Sequence, residues 1–338
     1  MRFHDAVSLR ALYGAAPVGC KANDTHWEWT CQLKRILVGV DGSDAAAAAL
    51  GWAGRLAQVV GAEVVVANVF EPGQAEVSPE HYQELMLEAD RRLDAEWSHP
   101  LSGCAAPHSS VLLTGAPDVL LEAAEHENAD LVVVGPRGHG GFARLHVGSL
   151  AHHLAHHTTR PLAIVPAPGA VGAFDRVVVG VDGSEGSAHA VCWCADMARA
   201  ANAEVIAVYA FEPLVEWVME SDPRSWRRAA ERKLEDSWAA PLRQAGVAVR
   251  TRIVENLHPV AALAGVVEDE DAGLVVVGTR GVGGFLGLRL GRVPVQLVHH
   301  SQMPVVLVPP PVHDPLLPQE GRGPSSSSTD MPGTGDVR

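Results

Sequence analysis

The sequence predicts an α/β protein built from two tandem copies of one domain, each a parallel β-sheet covered by helices. Three observations carry this prediction. The chain has 338 residues, more than twice the usual domain length of ~150 residues. Whole stretches of the first half recur in the second half. Within each half, short apolar runs rich in β-branched residues alternate with longer stretches of helical periodicity.

The repeat is clearest around the first strand of each copy. Residues 35–43 (RILVGVDGS) return as residues 176–184 (RVVVGVDGS). Residues 131–138 (LVVVGPRG) return in the same way as residues 274–281 (LVVVGTRG). The spacing between these two motifs is almost the same in both copies, so the copies differ by one short insertion. The period is far too long for a solenoid.

The segments outside the repeat differ from it in composition. We predict domains at residues 33–167 and 174–310, joined by a short linker of Pro, Gly and Ala residues. Residues 1–32 match neither copy and form an N-terminal extension. Residues 311–338 are rich in Pro, Gly and Ser, which predicts a disordered tail.

Strands and helices alternate along each copy. In the first copy we predict strands at 35–40, 63–69, 110–113, 131–134 and 161–165, and helices at 44–60, 81–97, 117–127 and 148–157. Continuous apolar runs such as Leu-Val-Val-Val at 131–134 indicate strands that are buried on both faces. The order implies a parallel sheet with right-handed crossovers, in which ligands bind beyond the carboxyl ends of the strands.

The composition excludes several classes of partner. Hydrophobic residues make up 47% of the chain and charged residues 20%, as in ordinary folded proteins. The formal net charge of -14 repels nucleic-acid backbones and anionic membrane surfaces. No apolar run reaches the ~20 residues that span a bilayer, and the N-terminus lacks a signal-peptide core. We expect a cytoplasmic protein with no nucleic-acid or membrane partner. The five cysteines match no disulfide framework or zinc spacing.

A glycine-spaced loop follows the fourth strand of the first copy. Its pattern is G-x2-G-x9-G-S, with Gly135, Gly138, Gly148 and Ser149 at the fixed positions. Glycine lets the backbone approach a ligand without an intervening β-carbon, and a helix that opens at Ser149 offers N–H groups to a phosphate. Asp41, at the tip of the first strand, can accept hydrogen bonds from an adenine amino group or a ribose hydroxyl. The alternatives are glycines that only end a strand and cap a helix, and an aspartate that only shapes a turn.

Taken together, these motifs resemble those of the universal stress protein family. The resemblance rests on Gly-Val-Asp-Gly-Ser at 39–43, on the glycine pattern, and on the final strand Arg-Pro-Leu-Ala-Ile-Val at 160–165. It extends over both copies. It implies a Rossmann-like fold with a five-stranded parallel sheet in each domain. For the subset of the family with this glycine pattern, it also implies that ATP binds together with a divalent metal, Mg or Mn.

The resemblance also assigns binding residues, with Asp41 contacting the adenosine and the backbone of Val69 pairing with adenine. The first-copy set is Gly39, Asp41, Val69, Val134, Gly135, Gly138, Gly148, Ser149 and Leu150. The second-copy set is Gly180, Asp182, Ala210, Val277, Gly278, Gly281, Gly291, Arg292 and Val293. Neither set includes a predicted catalytic residue or a metal-ligating side chain.

The second copy departs from the pattern at two positions. Arg292 stands where the first copy has Ser149, and Pro294 stands where it has Ala151. A proline in the first helical turn lacks an N–H, so one phosphate donor is lost. Arg292 can either pair with a phosphate or fill the pocket. We therefore expect a dependable ATP site in the first copy and a weaker or altered site in the second.

Four histidines follow Ser149 on the predicted helix. His152, His153, His156 and His157 form two i,i+4 pairs, a spacing that can bind zinc. The motif lacks the accompanying glutamate of zinc proteases, and the two pairs point in different directions around the helix. A polar helix face near a domain interface is the better interpretation.

The final strands of the two copies are predicted to pair. The runs at 160–165 and 303–308 are apolar, and each would lie at a sheet edge. An uncovered apolar edge strand invites aggregation, so pairing between the copies is the natural solution. We predict an intramolecular pseudo-dimer, which can dimerise further.

Three classes of function remain open at this point. The first is an ATP-binding stress or signalling protein whose output is conformational or partner-mediated, with little hydrolysis. The second is an ATP-consuming synthetase or adenylyl transferase, but residues 40–44 lack the double glycine of the loops that such enzymes carry there. The third is an interaction module that binds no nucleotide, against which the intact glycine pattern argues.

Overall fold

The computed structural model describes residues 20–23, 26–29, 33–70, 78–116, 118–138, 147–166, 173–211, 223–255, 258–281 and 290–310. The predicted disordered tail, the linker and most of the N-terminal extension lie outside these residues. Within the extension, β1 (Cys20–Asn23) pairs with β2 (His26–Trp29) in an antiparallel ladder.

The first copy alternates strands and helices as predicted. Its elements are β3 (Arg35–Gly39), α1 (Asp44–Val60), β4 (Glu63–Phe70), α2 (Pro79–Arg92), β5 (His108–Thr114), α3 (Val119–His126), β6 (Leu131–Val134), α4 (Ser149–His157) and β7 (Leu162–Ile164). Most predicted boundaries shift by no more than two residues, and one helix end shifts further. The expected helix at 81–97 ends at Arg92 and continues as a π-helical turn, Leu93–Trp97.

The second copy repeats this order. Its elements are β8 (Arg176–Gly180), α5 (Glu185–Ala201), β9 (Glu204–Phe211), α6 (Pro223–Lys233), α7 (Ala240–Gln244), β10 (Ala248–Glu255), α8 (Pro259–Glu270), β11 (Leu274–Gly278), α9 (Arg292–His300) and β12 (Val305–Val308). A π-helical turn recurs between α6 and α7, at Leu234–Trp238, which is the position equivalent to Leu93–Trp97 in the repeat. The turn is therefore a feature of the domain and not of one copy.

Local chemistry sets the helix ends in both copies. The Ser43 side chain accepts a hydrogen bond from the N–H of Ala46, and the Ser184 side chain accepts one from the N–H of Ser187. These caps satisfy N–H groups that have no partner inside the helix. At the other end of α1, Gly61 adopts the left-handed conformation (φ 77°) and ends the helix.

The strands of both copies form one ten-stranded sheet. Its order is β10-β9-β8-β11-β12-β7-β6-β3-β4-β5. Every neighbouring pair is parallel except β12 and β7, which pair antiparallel with Leu307 opposite Leu162 and Val305 opposite Ile164. The predicted pairing of the final strands is thus confirmed. Because the two halves run in opposite directions, the carboxyl ends of their strands face opposite ways.

Each face of the sheet carries one hydrophobic core that includes residues of both copies. On one face, the fully buried Trp52 of α1 meets Phe174 edge-on, with ring centroids 5.5 Å apart. On the other face, Leu162 and Leu307 are both fully buried. The copies therefore share their cores. No helix among the described residues combines the length and the apolar character needed to cross a bilayer.

Candidate functional site: two related cavities

Each copy has a cavity at the carboxyl ends of its strands. The first cavity has a volume of about 270 Å³ and the second about 550 Å³. All nine residues predicted for the first copy line the first cavity: Gly39, Asp41, Val69, Val134, Gly135, Gly138, Gly148, Ser149 and Leu150. All nine predicted for the second copy line the second cavity: Gly180, Asp182, Ala210, Val277, Gly278, Gly281, Gly291, Arg292 and Val293. The structure thus brings together residues that are distant in sequence.

The topology explains where these cavities lie. In the first copy, the chain passes from β3 to β4 on one side and later returns to β6 on the other side of β3. The gap between β3 and β6 is the switch point at which parallel sheets leave a crevice. Gly39 at the end of β3 and Val134 at the end of β6 both line the first cavity.

Asp41 shapes the turn that follows β3 and also lines the cavity. Its Oδ1 accepts a hydrogen bond from the N–H of Ser43 at 3.0 Å. In the second copy, Oδ1 of Asp182 accepts hydrogen bonds from both the N–H (2.9 Å) and the hydroxyl (2.5 Å) of Ser184. The two interpretations of this aspartate, as a turn residue and as a cavity residue, are therefore compatible.

The first glycine of each loop lies against the first turn of a helix. A β-carbon at Gly135 would come within 2.9 Å of the carbonyl carbon of Ala45, which is too close for any other residue. In the second copy, Gly186 replaces Ala45, and a β-carbon at Gly278 would overlap with the Gly186 backbone. The second loop thus lies even closer to its helix.

The start of α4 supplies the N–H groups that the sequence predicts for a phosphate. Gly148 is the N-cap, with no side-chain cap, and its own N–H donates to the carbonyl of Pro136 at 2.7 Å. The next three residues, Ser149, Leu150 and Ala151, line the cavity and occupy positions whose N–H groups have no acceptor within the helix. The cavity therefore meets the positive end of the helix dipole.

The start of α9 has the same geometry with fewer donors. Gly291 is the N-cap, and its N–H donates to the carbonyl of Thr279 at 2.7 Å. The helix begins at Arg292, so Pro294 is its third residue, within the first turn as predicted. Only Arg292 and Val293 retain first-turn N–H groups. The backbone of the second cavity thus offers one donor fewer than the first.

A family model described as "Universal stress protein family" matches residues 32–166 and 173–309. The chain belongs to the universal stress protein family. Universal stress protein Rv1996 of Mycobacterium tuberculosis is 30% identical to it over 316 residues, which is 84% of this chain and 97% of that protein. Universal stress protein Rv2623 of the same organism is 29% identical over 289 residues, which is 80% of this chain and 95% of that protein.

The solved structures agree on the fold. The crystal structure of a universal stress protein from Archaeoglobus fulgidus DSM 4304 matches 82% of this chain and 99% of its own chain, with a TM-score of 0.64 and 21% identity. The predicted α/β fold with two tandem Rossmann-like domains is thus confirmed. Family membership also associates this universal stress protein with the response to stress.

The two cavities of this universal stress protein differ beside the end of the second strand of each copy. In the first, Asn68 is buried, lines the cavity and donates from Nδ2 to the carbonyl of Val40 at 2.7 Å. Its counterpart Tyr209 packs edge-on against Trp238, with ring centroids 5.2 Å apart. Burial and the nearby charge of Asp182 raise the pKa of the Tyr209 phenol. Val208, Ala210 and Leu263 line the second cavity at this end.

A tryptophan covers the Asp-Gly-Ser turn in both copies, and sequence reasoning missed it. Gly42 has φ +81°, and a β-carbon there would come within 2.8 Å of Cε2 of Trp97. Gly183 (φ +79°) has the same relation to Trp238. Both tryptophans end the π-helical turns. Their recurrence at equivalent positions of the repeat is the signal that could have revealed them.

Among the residues that the structure describes, three arginines line the cavities of this universal stress protein. Arg137 in the first copy and Arg280 in the second follow the first glycine of each loop, and Arg292 begins α9. All three side chains are exposed. They place positive charge locally in a chain whose net charge is -14.

The histidines of α4 connect this helix to α3. Nε2 of His153 contacts Oδ1 of Asp118, and Nδ1 of His157 lies 2.9 Å from the carbonyl oxygen of His153. Burial, and then the neighbouring histidines, lower the pKa of His156. Within the described ranges, no group of three or more His, Cys, Asp or Glu side chains is arranged to hold a metal.

Proposed function

We propose that this universal stress protein binds ATP in the first cavity and couples nucleotide occupancy to a stress-response output through its conformation or a partner. The observation that carries this proposal is the convergence of nine separately predicted residues on one cavity beside the open start of α4. A cradle that only glycine can form at Gly135 and Gly138 fits a ligand that the backbone approaches closely.

The phosphate end of the ligand would meet the first turn of α4. The N–H groups of Ser149, Leu150 and Ala151, with the Ser149 hydroxyl, provide four donors. Hydrogen bonds to a charged group contribute about 1.5–3 kcal/mol each. Three or four of them supply roughly the 8 kcal/mol that micromolar binding requires, provided that the cost of ordering the ligand stays modest.

The adenosine end would lie between Asp41 and Val69. The Ser43 N–H holds Oδ1 of Asp41 in place, so the carboxylate is oriented before a ligand arrives. A preorganised acceptor loses less entropy on binding than a mobile one. The buried Asn68 amide is anchored on the Val40 carbonyl and adds a fixed polar group to the same wall.

A divalent metal, Mg or Mn, would enter with the nucleotide. Mg²⁺ in nucleotide sites is held largely by phosphate oxygens and water, with one or two protein oxygens. Asp41 would lie at the adenosine end, so the Ser149 hydroxyl at the start of α4 is the side-chain oxygen of the described lining that fits this role beside the phosphates. The bound ion would neutralise part of the phosphate charge.

The second cavity would bind nucleotide more weakly or differently. Its larger volume does not support this asymmetry, which rests instead on the lost donor at Pro294 and the replacement of Ser149 by Arg292. Equilibrium dialysis is expected to give unequal ATP sites, and two equal sites per chain would refute the asymmetry. Further dimerisation and a cytoplasmic location stay predictions, which light scattering and cell fractionation can test.

An ATP-consuming enzyme is the less favoured alternative. Among the described residues that line the first cavity, the ionisable side chains are Asp41 and Arg137. Oδ1 of Asp41 already accepts a hydrogen bond from the Ser43 N–H, and the guanidinium of Arg137 offers only donors, so neither side chain is placed as a general base. We accordingly favour binding with little or slow hydrolysis over rapid turnover.

The decisive experiment begins with the protein purified from cells, in which mass spectrometry identifies any co-purifying nucleotide. Added ATP is expected to raise the melting temperature of the wild type. The effect should fall in Gly138→Glu to whatever the second cavity contributes, and it should fall less in Ser149→Ala, which removes only one hydroxyl donor. If the wild type carries no nucleotide and ATP leaves its melting temperature unchanged, the proposal fails.

A further inference from the structure

We propose that residues 311–320 bind in the second cavity of the same chain, with the leucine pair at 316–317 as the anchor. The occupant is thus a segment that lies beyond the described residues. This contact would exist whether or not the second cavity also accepts a nucleotide, so it goes beyond the proposed function. Its basis is the place where β12 ends, the lining of the cavity and the composition of the segment.

The segment begins beside the second cavity. Gly278 and Val308 are register partners in β11 and β12, and the N–H of Thr279 donates to the carbonyl of Val308 at 3.0 Å. Because Gly278 lines the cavity, the chain leaves β12 about one strand spacing, ~5 Å, from the cavity wall. Leu316 follows Pro310, the last described residue, by six residues, which span at most ~20 Å. The first cavity opens at the opposite ends of the strands, so the second cavity is the nearer one.

The lining of the second cavity suits an apolar anchor with carboxylates beside it. Its apolar members include Val208, Ala210, Pro259, Leu263, Leu290 and Val293. In the described part of the lining, the ionisable side chains are Asp182, Arg280 and Arg292, so two positive charges stand against one negative charge. Both arginine side chains are exposed. The cavity therefore combines an apolar wall with a net positive charge.

The segment carries the complementary groups. Residues 311–320 (PVHDPLLPQE) contain two adjacent leucines, flanked by Asp314 and Glu320, and no lysine or arginine. The leucines can enter the apolar part of the cavity, and each carboxylate can pair with an exposed guanidinium. Three prolines restrict the backbone, so less conformational entropy is lost on binding. The glycines and serines that predict disorder come later, within residues 321–338.

The first copy lacks both partners of this contact. The residues that follow its final strand, 167–173 (APGAVGA), include no charged side chain and no leucine, and they lead directly into the second copy. The first cavity has Ser149 where the second has Arg292. The acidic, leucine-containing segment and the additional arginine thus occur together in one copy, as a direct contact between them requires.

Attachment to the same chain makes even a weak contact effective. A short linker holds a segment near its site at an effective concentration of about 1 mM. With an intrinsic dissociation constant of ~0.1 mM, the segment would occupy the cavity about ten times as often as it leaves the cavity empty. Backbone amides in the cavity wall should then exchange with solvent about tenfold more slowly.

The direct test is hydrogen–deuterium exchange of the full chain and of its Leu316→Ser/Leu317→Ser variant. Both substitutions lie beyond residues 173–309, the second match to the family model, and should not disturb the fold. Residues 290–295 are expected to exchange about tenfold faster in the variant. The matched segment 147–152 of the first copy is the control and should exchange equally in both proteins.

Two results would overturn the inference. The first is equal exchange at residues 290–295 in the two proteins, or a change that is equally large at 147–152. The second is protection that disappears on dilution of the wild type, because the segment would then bind another copy of the chain. Protection that is independent of protein concentration and confined to the second copy supports the intramolecular contact.

Charge reversal tests the pairing. Arg280→Glu with Arg292→Glu, and separately Asp314→Lys with Glu320→Lys, should each remove most of the protection at 290–295, after correction for intrinsic exchange rates. Combining all four substitutions is expected to restore it, because the charges are exchanged between the partners. A combined variant that stays unprotected would overturn the assigned role of the arginines.

Discussion

Gly138 lies so close to Asp41 that a β-carbon on the glycine would overlap with Oδ2 of the aspartate. The same relation holds between Gly281 and Asp182 in the second copy. The loop after the fourth strand of each copy therefore touches the turn after its first strand. This contact joins the two halves of the cavity, and it depends on the absence of a side chain at one position.

Gly138→Ala is expected to weaken ATP binding by about tenfold or more, because either Asp41 or the loop must move to admit the methyl group. Isothermal titration measures the change. The matched control is Gly265→Ala in α8, where no atom outside the helix backbone lies within 4 Å of the new carbon. That variant should leave ATP binding intact and stabilise the helix by ~0.5–1 kcal/mol. Equal ATP affinities in the two variants would contradict this account.

Trp97→Ala should destabilise the first copy and weaken ATP binding there, because the ring covers the Gly42 turn that positions Asp41. Because Trp97 is only partly buried, we expect the free energy of unfolding to fall by about 2–3 kcal/mol, less than for a fully buried tryptophan. Chemical denaturation and ATP titration measure the two effects. Trp238→Ala makes the same change in the second copy and is expected to spare ATP binding in the first. If Trp238→Ala weakens that binding as much as Trp97→Ala does, the effect is global unfolding.

Leu162→Ala and Leu307→Ala test the pairing that joins the copies. The two residues are register partners across β7 and β12, and both are fully buried. Each substitution is expected to cost about 2–5 kcal/mol of unfolding free energy. Because the residues are direct neighbours, a double-mutant cycle should show a coupling of at least ~0.5 kcal/mol. Strictly additive effects would argue against this strand pairing.

Asp196→Asn tests a buried carboxyl group on α5. Asp196 is 7% exposed and lies 3.2 Å from Arg199. Burial raises its pKa to about 6, although the charge of Arg199 acts in the opposite direction. The folded protein therefore keeps a proton that the unfolded chain releases near pH 4, and this group makes stability fall as pH rises from about 4 to 6.

The variant is thus expected to be more stable than the wild type near pH 7.5 and to lose this advantage as the pH falls towards 4.5, as measured by thermal unfolding across that range. Gly265→Ala adds no titratable group, so it provides the control and should show a stability difference that does not vary with pH in this window. An Asp196→Asn variant that is less stable by the same amount at both pH values would contradict the burial argument.

Much of the fold could be predicted because it is encoded locally and then repeated. The apolar run Leu131–Val134 predicts a strand buried on both faces, and the structure buries all four residues. The apolar character of the final strands also predicted their pairing. The end of α2 was not predictable in the same way. A π-helical turn replaces the last turn of the expected helix, and nothing in the local periodicity separates the two.

The sequence predicted part of each cavity lining but not its shape. All eighteen positions proposed from the glycine spacing and the resemblance line a cavity, whereas other lining residues, such as Leu120 and Leu263, were not named. The sequence did not indicate that Asn68 would line one cavity while Tyr209 would pack on Trp238. That difference depends on which way a side chain turns once its neighbours are in place. The sequence also did not indicate that the second cavity, at about 550 Å³, would be larger than the first, at about 270 Å³.

The duplication, the α/β class and the residues at each glycine-rich loop follow from the sequence, because they are patterns along a single chain. Only the folded structure shows that Gly138 touches Asp41, that the tryptophans cover the turns and that the second cavity is the larger one. These features depend on contacts between segments far apart in sequence. Such contacts are determined by the size and orientation of side chains that come together only when the chain folds. Hydrophobic periodicity indicates which face of a helix or strand is buried, but it does not indicate which residues pack against that face.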